Sequence, residues 1–249
     1  MARQHGIIKI NGTIDDLSFY KTQDGYMVKK KTTINGARIA TDANFIRTRE
    51  NGVEFGSAAT DGKLLREALR SNLLVAADNR VTPRLTQLMR KILKEDPTSA
   101  RGLRTVGNAI TLPSAMTLLK GFNFNKHALM GSVMHGIYTV NAATGVISFA
   151  SLTPANDIVA PQGATHFSLL CSWAKVDFTG KTYNVQYSNV VNMAINAAPA
   201  AVALTPPAAP TGTGTNVLLL QVEFFQIVNS IQYTLNNGAY NALEVVSVS

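Results

Sequence analysis

The sequence predicts an α+β protein in which a small basic module of β-hairpins and helices precedes an antiparallel β-sandwich. Two observations lead to this prediction. The basic charge lies in the first two fifths of the chain, and the apolar pattern changes from helical steps to strand-like runs after Gly121. Pro, Gly and Ser residues interrupt the segment DPTSARGLRTVGNAITLPS between the two patterns. The predicted domains are a basic α+β module at residues 1–104 and a charge-poor β-sandwich at residues 105–249.

The charge distribution favours association with other molecules. The net charge is +8; up to Arg104 there are 19 Lys and Arg against 11 Asp and Glu, whereas the remaining 145 residues hold four of each. A free-standing domain of that size exposes roughly 7,000 Å², and soluble surfaces usually carry about a quarter to a third charged residues. We therefore expect copies of the chain to cover much of this surface. The alternative is a Ser/Thr/Asn-rich surface that stays soluble without charge.

Composition excludes several classes of protein. The single cysteine, Cys171, excludes an intrachain disulfide framework. The apolar run within residues 1–10 is too short for a signal peptide, so we expect synthesis in the cytoplasm, and release as part of a particle stays open. No run approaches the roughly 20 apolar residues of a membrane span, so no span is expected.

The N-terminal residues alternate and turn in the manner of strands. The segments GIIKING, TIDDLSFYKT and QDGYMVKKK predict two or three strands, one of them edged by lysines. Asp24-Gly25 is a strong hairpin signal because both residues tolerate positive φ.

Helical periodicity begins after Asp42, which is a plausible N-cap. An apolar stripe continues to Leu73, with an interruption expected near Thr60–Gly62 because glycine weakens a helix. A second helix is predicted from an N-cap at Thr82 to Pro97, and a short third one follows in SAMTLLKG.

The second half of the chain is predicted to form strands. Seven or eight short runs separated by turn signals, with no helices between them, indicate an antiparallel sandwich. The Pro/Ala/Gly-rich segment at residues 197–215 predicts a long loop or arm. In an assembling protein such an arm often lies on a neighbouring subunit.

No constellation of catalytic or metal-ligating residues stands out. The four histidines are scattered, and the chain has no H-E-x-x-H, C-x-x-C, G-x-S-x-G or P-loop motif. Cys171 lies among strand residues and is expected to be buried, and Asp15-Asp16 is expected to form a turn. We predict no enzymatic activity, no cofactor, no metal and no small-molecule substrate.

Two sets of residues are candidates for contact with partners. The cations predicted to contact a polyanion or another subunit are Lys29, Lys30, Lys31, Arg47, Arg49, Lys63, Arg66 and Arg70. The alternative for the helical cations is a solvated face beside the apolar stripe. The glycines predicted to allow close helix packing, within the chain or with a neighbour, are Gly52, Gly56 and Gly62.

The first 75 residues or so resemble a family of small basic, uncharacterised proteins from Bacteroidota genomes. The resemblance rests on KINGTIDDLSFYKTQDGYMVKKK and FIRTRENGVEFGSAATDGKLLREALR. It implies a phage-derived, mobile-element or particle-forming protein, and it transfers no functional residues.

These observations together predict a non-enzymatic structural subunit. It would assemble with copies of itself into a virion- or appendage-like particle, tube or fibre. The alternative is a nucleic-acid-binding accessory protein that contacts phosphates non-specifically through the basic N-terminal module. A third reading, a carbohydrate- or surface-binding module, would require exposed aromatic residues such as Trp173 or Tyr187.

Overall fold

The computed structural model describes residues 2–31 and 34–249 of the 249-residue chain. These residues form two compact units that divide between Arg49 and Glu50. Residues 2–49 are termed the N-terminal unit and residues 50–249 the C-terminal unit. Helices and antiparallel sheets are both present, so the predicted α+β class is confirmed.

The N-terminal unit contains a four-stranded antiparallel sheet with the spatial order β1-β4-β3-β2. The strands are β1 (Ala2–Arg3), β2 (Gly12–Ile14), β3 (Leu17–Thr22) and β4 (Gly25–Lys30), and they are followed by helix α1 (Gly36–Thr41). Asn35 caps this helix by accepting a hydrogen bond of 2.8 Å from the Arg38 amide.

Both turns of this sheet follow from local chemistry. The hairpin predicted at Asp24-Gly25 is confirmed, although its two loop residues are Gln23 and Asp24, and Gly25 takes a φ of +112°. Asp15 and Asp16 form the turn between β2 and β3, as predicted, with Asp15 at a φ of 50°. The strand predicted for GIIKING is wrong except at its end, because β2 begins only at Gly12.

The helices that follow are α2 (Ile46–Ala68), α3 (Arg70–Ala76), α4 (Val81–Leu93), α5 (Val106–Ala109), α6 (Pro113–Leu119), α7 (Met130–Val133) and α8 (Pro154–Asp157). Asp42 accepts a hydrogen bond from the Asn44 amide and caps the 3₁₀ turn that leads into α2, which confirms its predicted role. The interruption predicted near Thr60–Gly62 is wrong, because α2 continues through it and ends before Leu69. The residue preceding α4 is Arg80, and the predicted cap Thr82 lies inside the helix.

The larger sheet is built around β7 (His166–Asp177) and β11 (Thr215–Val228), which pair along their length. The strands beside them are β8 (Thr182–Tyr187), β9 (Val191–Ala194), β12 (Ile231–Thr234) and β13 (Ala242–Val248). In β11 the side chains of Val217 and Leu219 enter one core, and those of Leu218 and Leu220 enter the other. Both faces of this sheet are therefore buried, which explains the almost uninterrupted apolar run of β11.

The C-terminal unit has three layers: helices, the larger sheet and a smaller sheet. One face of the larger sheet packs against α2 to α6, and the other packs against a smaller sheet and the segment around α7. The smaller sheet consists of β5 (Thr139–Asn141), β6 (Val146–Leu152) and β10 (Ala200–Leu204). The predicted sandwich omitted the helical layer that covers the second face.

Two sequence-based boundaries need correction. The predicted division at residues 104/105 passes through one hydrophobic core, in which Leu65 and Met89 share a cluster with Val217 and Val245. The predicted arm at residues 197–215 is also wrong in part. It contains β10, whose Val202 and Leu204 are buried against the larger sheet because they alternate with outward-facing alanines.

Candidate contact surfaces

The N-terminal sheet has one apolar face that the N-terminal unit itself does not bury. Strand register places Ile14 opposite Leu17 and Phe19 opposite Val28, so these four side chains share a face, termed here the N-terminal sheet face. Ile14 is 55% exposed and Leu17 is 44% exposed. Among residues 2–31 and 34–49 no side chain is fully buried. The sheet therefore lacks a buried core of its own.

The N-terminal unit is also the more basic of the two. Residues 1–49 carry nine Lys and Arg against four Asp and Glu, a net charge of +5. Three lysines lie over tyrosine rings: Lys9 and Lys21 at 6.0 and 5.6 Å from Tyr26, and Lys29 at 5.7 Å from Tyr20. Such distances allow cation–π attraction. Lysine–tyrosine pairs therefore lie on both faces of this sheet, Lys21 with Tyr26 on one and Lys29 with Tyr20 on the other.

The predicted contact cations of the N-terminal unit differ in their surroundings. Lys29 and Lys30 are exposed at the end of β4, and exposed Lys31 donates its amide to the carbonyl oxygen of Asp16. Arg47 is exposed on the first turn of α2. Arg49 instead donates hydrogen bonds of 2.8 and 2.9 Å to the carbonyl oxygens of Ile39 and Asp42. Its guanidinium therefore fastens α1 to the start of α2.

The remaining predicted cations lie together in the C-terminal unit. Lys63, Arg66 and Arg70 border a shallow depression of about 340 Å³, whose apolar part comes from Leu73 and Leu74. Glu67 lies 3.5 Å from Lys63, on the same side of α2. Exposed pairs of this kind contribute little to stability.

The three predicted packing glycines have different neighbours. A Cβ on Gly62 would lie 3.7 Å from side-chain carbons of both Leu85 and Met89 in α4. Gly62 therefore permits a close approach of two helices within the chain. A Cβ on Gly52 or Gly56 would meet nothing within 4 Å among the described residues, so this part of α2 is open.

A polar cavity in the C-terminal unit brings together residues that sequence patterns did not connect. Its volume is about 570 Å³, and it is lined by Asn51, Glu54, Arg90, Lys94, Asp96, Ser99, Arg101 and Arg104. These residues come from α2, α4 and the loop between α4 and α5. Helical spacing relates Arg90 to Lys94, but only tertiary structure brings Glu54 to Arg104.

Both carboxylates of this polar cavity are held by internal hydrogen bonds. Glu54 accepts two bonds from Arg104, at 2.8 and 2.9 Å, and one of 2.8 Å from the Gly102 amide. The Arg104 guanidinium holds the pKa of Glu54 below its usual range. Burial alone would raise the pKa of Asp96, but hydrogen bonds from Ser99, Thr105 and Thr98 outweigh it and hold that pKa well below its ordinary value.

An ion pair with one buried member lies elsewhere in the C-terminal unit. The carboxyl of Asp61 in α2 is fully buried and accepts a hydrogen bond from the ammonium of Lys181, in the turn after β7. The other Asp61 oxygen, Oδ2, has no partner among the described residues. Burial raises the pKa of Asp61, and Lys181 offsets only part of that effect.

One candidate reactive group, the thiol of Cys171, lies inside the fold. Cys171 is buried as predicted, and its surroundings raise the pKa of its thiol to about 12, so the reactive thiolate is strongly disfavoured. Within residues 2–31 and 34–249 there is no group of three or more His, Cys, Asp or Glu side chains arranged to hold a metal ion. Trp173 is 4% exposed, which removes it as a surface platform for a carbohydrate.

Among the helices of the described residues, none is long and apolar enough to cross a membrane. Comparisons of the chain with protein-family models, curated proteins and solved structures give no match.

Proposed function

We propose that this protein is a non-enzymatic structural subunit that assembles with copies of itself through its N-terminal unit. The observation that carries the proposal is the N-terminal sheet face. Ordering a residue costs about 1.5 kcal/mol or more in conformational entropy, and small sheets are stable only when an apolar face is covered. A unit with no fully buried side chain among its described residues therefore needs a partner.

A second copy of the chain is the simplest partner. Two identical sheets can stack face to face at a separation of about 10 Å. A two-fold axis then places the same apolar patch on both sides of the interface. Lys21 and Lys30 lie on the same side of the sheet, so their aliphatic stems would extend the apolar contact while their ammonium groups reach solvent.

Growth beyond a dimer needs a second contact, and the C-terminal unit offers one. The β11–β12 hairpin ends in a turn at Asn229-Ser230, and its register places Val228, Ile231 and Tyr233 on one face. All three side chains are exposed. Two separate apolar patches on one chain support a particle, tube or fibre rather than an isolated dimer.

Substitution on opposite sides of one strand tests the proposal. Leu17→Lys places a charge on the N-terminal sheet face, whereas Ser18→Lys adds the same charge on the reverse face. We expect multi-angle light scattering to show a smaller assembly for Leu17→Lys and an unchanged assembly for Ser18→Lys. Fluorescence of Trp173, the only tryptophan, checks that the C-terminal unit is folded. Equal masses for both variants and the parent would refute assembly through this face.

Non-specific binding to nucleic acid is the second candidate, because three lysines lie near the two tyrosine rings of the N-terminal sheet. Bases stack on aromatic rings, and lysines neutralise phosphates. We expect binding to labelled single-stranded DNA to weaken steeply with salt, with a log–log slope that falls by about one in Lys29→Gln. Absence of binding at low salt would exclude this function.

A further inference from the structure

We infer that the polar cavity between α2, α4 and the α4–α5 loop binds a phosphate group. Four cationic side chains, Arg90, Lys94, Arg101 and Arg104, line it together with two carboxylates. The inference is independent of the proposed assembly, because every residue involved belongs to the C-terminal unit.

The two carboxylates offset only part of the positive charge, because four cationic side chains line the cavity. Three protein donors already bind Glu54, and those of Thr98, Ser99, Thr105 and Asn108 already bind Asp96. Each is about 5% exposed, so they form the wall of the cavity and fix the position of the cations. Their low pKa values keep this arrangement ionised at neutral pH.

Donor groups remain available around the cavity. Arg104 uses Nε and Nη2 on Glu54, which leaves Nη1 without a protein partner among the described residues. Arg101 donates to Asn51 at 3.1 Å and lies 3.4 Å from Glu50. Arg90 and Lys94 make no ion pair with any residue that the structure describes, although Arg90 lies 5.8 Å from the Phe55 ring centre.

The helix dipole alone does not explain why four cationic side chains line the polar cavity. Arg90 and Lys94 lie at the C-terminal end of α4, where cations interact favourably with the helix dipole. However, like charges at i and i+4 repel each other, and two further arginines line the same cavity from the α4–α5 loop. A compact dianion with several acceptor oxygens would relieve this repulsion.

Phosphate is the ligand chemistry that best matches these donors. Arginine binds phosphate oxygens through paired N–H groups, and lysine adds a point charge. The volume of about 570 Å³ accommodates a phosphate with a small organic group attached. The site would therefore take inorganic phosphate, pyrophosphate or a small phosphomonoester.

Thermal unfolding of the full chain at constant ionic strength tests the inference. Inorganic phosphate, pyrophosphate and a nucleoside monophosphate are titrated in parallel against sodium chloride and citrate. We expect saturable stabilisation by at least one phosphate compound, beyond that given by chloride or citrate. The compound that stabilises the protein most shows whether the site prefers the free ion, the diphosphate or the monoester.

Matched substitutions on α4 supply the control. Arg90→Gln and Lys94→Gln should each weaken the apparent Kd about tenfold or more, because each removes a charged hydrogen-bond donor. Lys91→Gln removes the same charge from an exposed position that does not line the cavity and should leave the Kd unchanged. The inference would be overturned if all three variants lost affinity for phosphate equally, or if citrate stabilised the protein as much as phosphate does. It would also be overturned if no phosphate compound gave saturable stabilisation.

Discussion

At the scale of single residues, the ion pair between buried Asp61 and partly exposed Lys181 couples helix α2 to the turn after β7. The carboxyl of Asp61 is fully buried, whereas the Lys181 side chain is 46% exposed. Lys181 also donates to the carbonyl oxygen of Phe178 at 2.6 Å, and it takes a φ of 56°. A buried charge that loses its partner destabilises a fold far more than the intact pair stabilises it.

Lys181→Met should lower the free energy of unfolding by about 3 kcal/mol at pH 7, because it leaves the Asp61 carboxylate buried and unpaired. This decrease in the free energy of unfolding should become smaller on acidification, because the Asp61 carboxyl then takes up a proton. Urea unfolding at pH 7 and pH 4.5 measures both values. Lys175→Met, on β7 without an ion pair among the described residues, is the control. A loss of equal size at both pH values would contradict this account.

The raised pKa of Asp61 also predicts how the parent protein responds to pH. Its pKa in the folded state lies above the ordinary value of 3.8. The contribution of this group to stability is therefore complete below about pH 3.8 and declines as the pH rises through the folded-state pKa. Asp61→Asn should remove that decline, so its stability relative to the parent should be higher at pH 7 than at pH 4. Urea unfolding at both pH values checks this, and an unchanged difference would contradict it.

At the scale of elements, α3 is attached to the larger sheet by buried polar contacts as well as by apolar packing. Asn72 donates hydrogen bonds of 2.8 and 2.7 Å to Ser172 and Gln221 on two neighbouring strands. Asn241, which precedes β13, donates to the carbonyl oxygen of Val75 and accepts from the Phe224 amide. These contacts fix the position of the helical layer on the sheet.

The open glycines of α2 give a test at the same scale. Gly52→Ala and Gly56→Ala should each raise the stability of a dilute monomer by up to about 1 kcal/mol, because glycine weakens a helix interior and the added methyl meets nothing within 4 Å. Chemical denaturation measures the gain. If the same variants reduce the assembled mass, a neighbouring subunit approaches α2 at these glycines. A loss of monomer stability would contradict the geometry of α2.

Elements governed by local chemistry were predictable from the sequence. The Asp15-Asp16 turn, the hairpin at Asp24 and the Asp42 cap each depend on a few neighbouring residues. The break predicted in α2 was based on glycine propensity alone, whereas in the fold Gly62 packs against Leu85 and Met89 of α4, more than 20 residues away. The polar cavity was missed for the same reason, because Glu54 meets Gly102 and Arg104 only in the folded chain. For Arg49, the charge pattern did not indicate the hydrogen bonds to the nearby carbonyl groups of Ile39 and Asp42.

At the scale of the whole molecule, the sparse charge of residues 105–249 has an explanation within the chain. Helices α2 to α6 cover one face of the larger sheet, and β10 with its neighbours covers the other. Low charge in this region is therefore weaker support for self-association than the sequence indicated. The N-terminal unit now provides the stronger argument, since its apolar sheet face is exposed and its charge is high.

The resemblance of the first 75 residues to small basic bacterial proteins stays a prediction, as does a virion- or appendage-like role. The two exposed apolar patches make a more specific prediction. Ile231→Lys on the β11–β12 hairpin should limit growth to a small species held by the N-terminal unit. Analytical ultracentrifugation of this variant would detect that species. A sedimentation-coefficient distribution identical to that of the parent would exclude the β11–β12 hairpin as a second contact.

The most direct test of the central claim is the mass of the unmodified chain in solution. Multi-angle light scattering from low to high micromolar concentration should give masses that are multiples of 26.7 kDa and that rise with concentration. The same samples should be examined by negative-stain microscopy for particles, tubes or fibres. A constant mass of 26.7 kDa across the whole range would contradict assembly through the N-terminal sheet face.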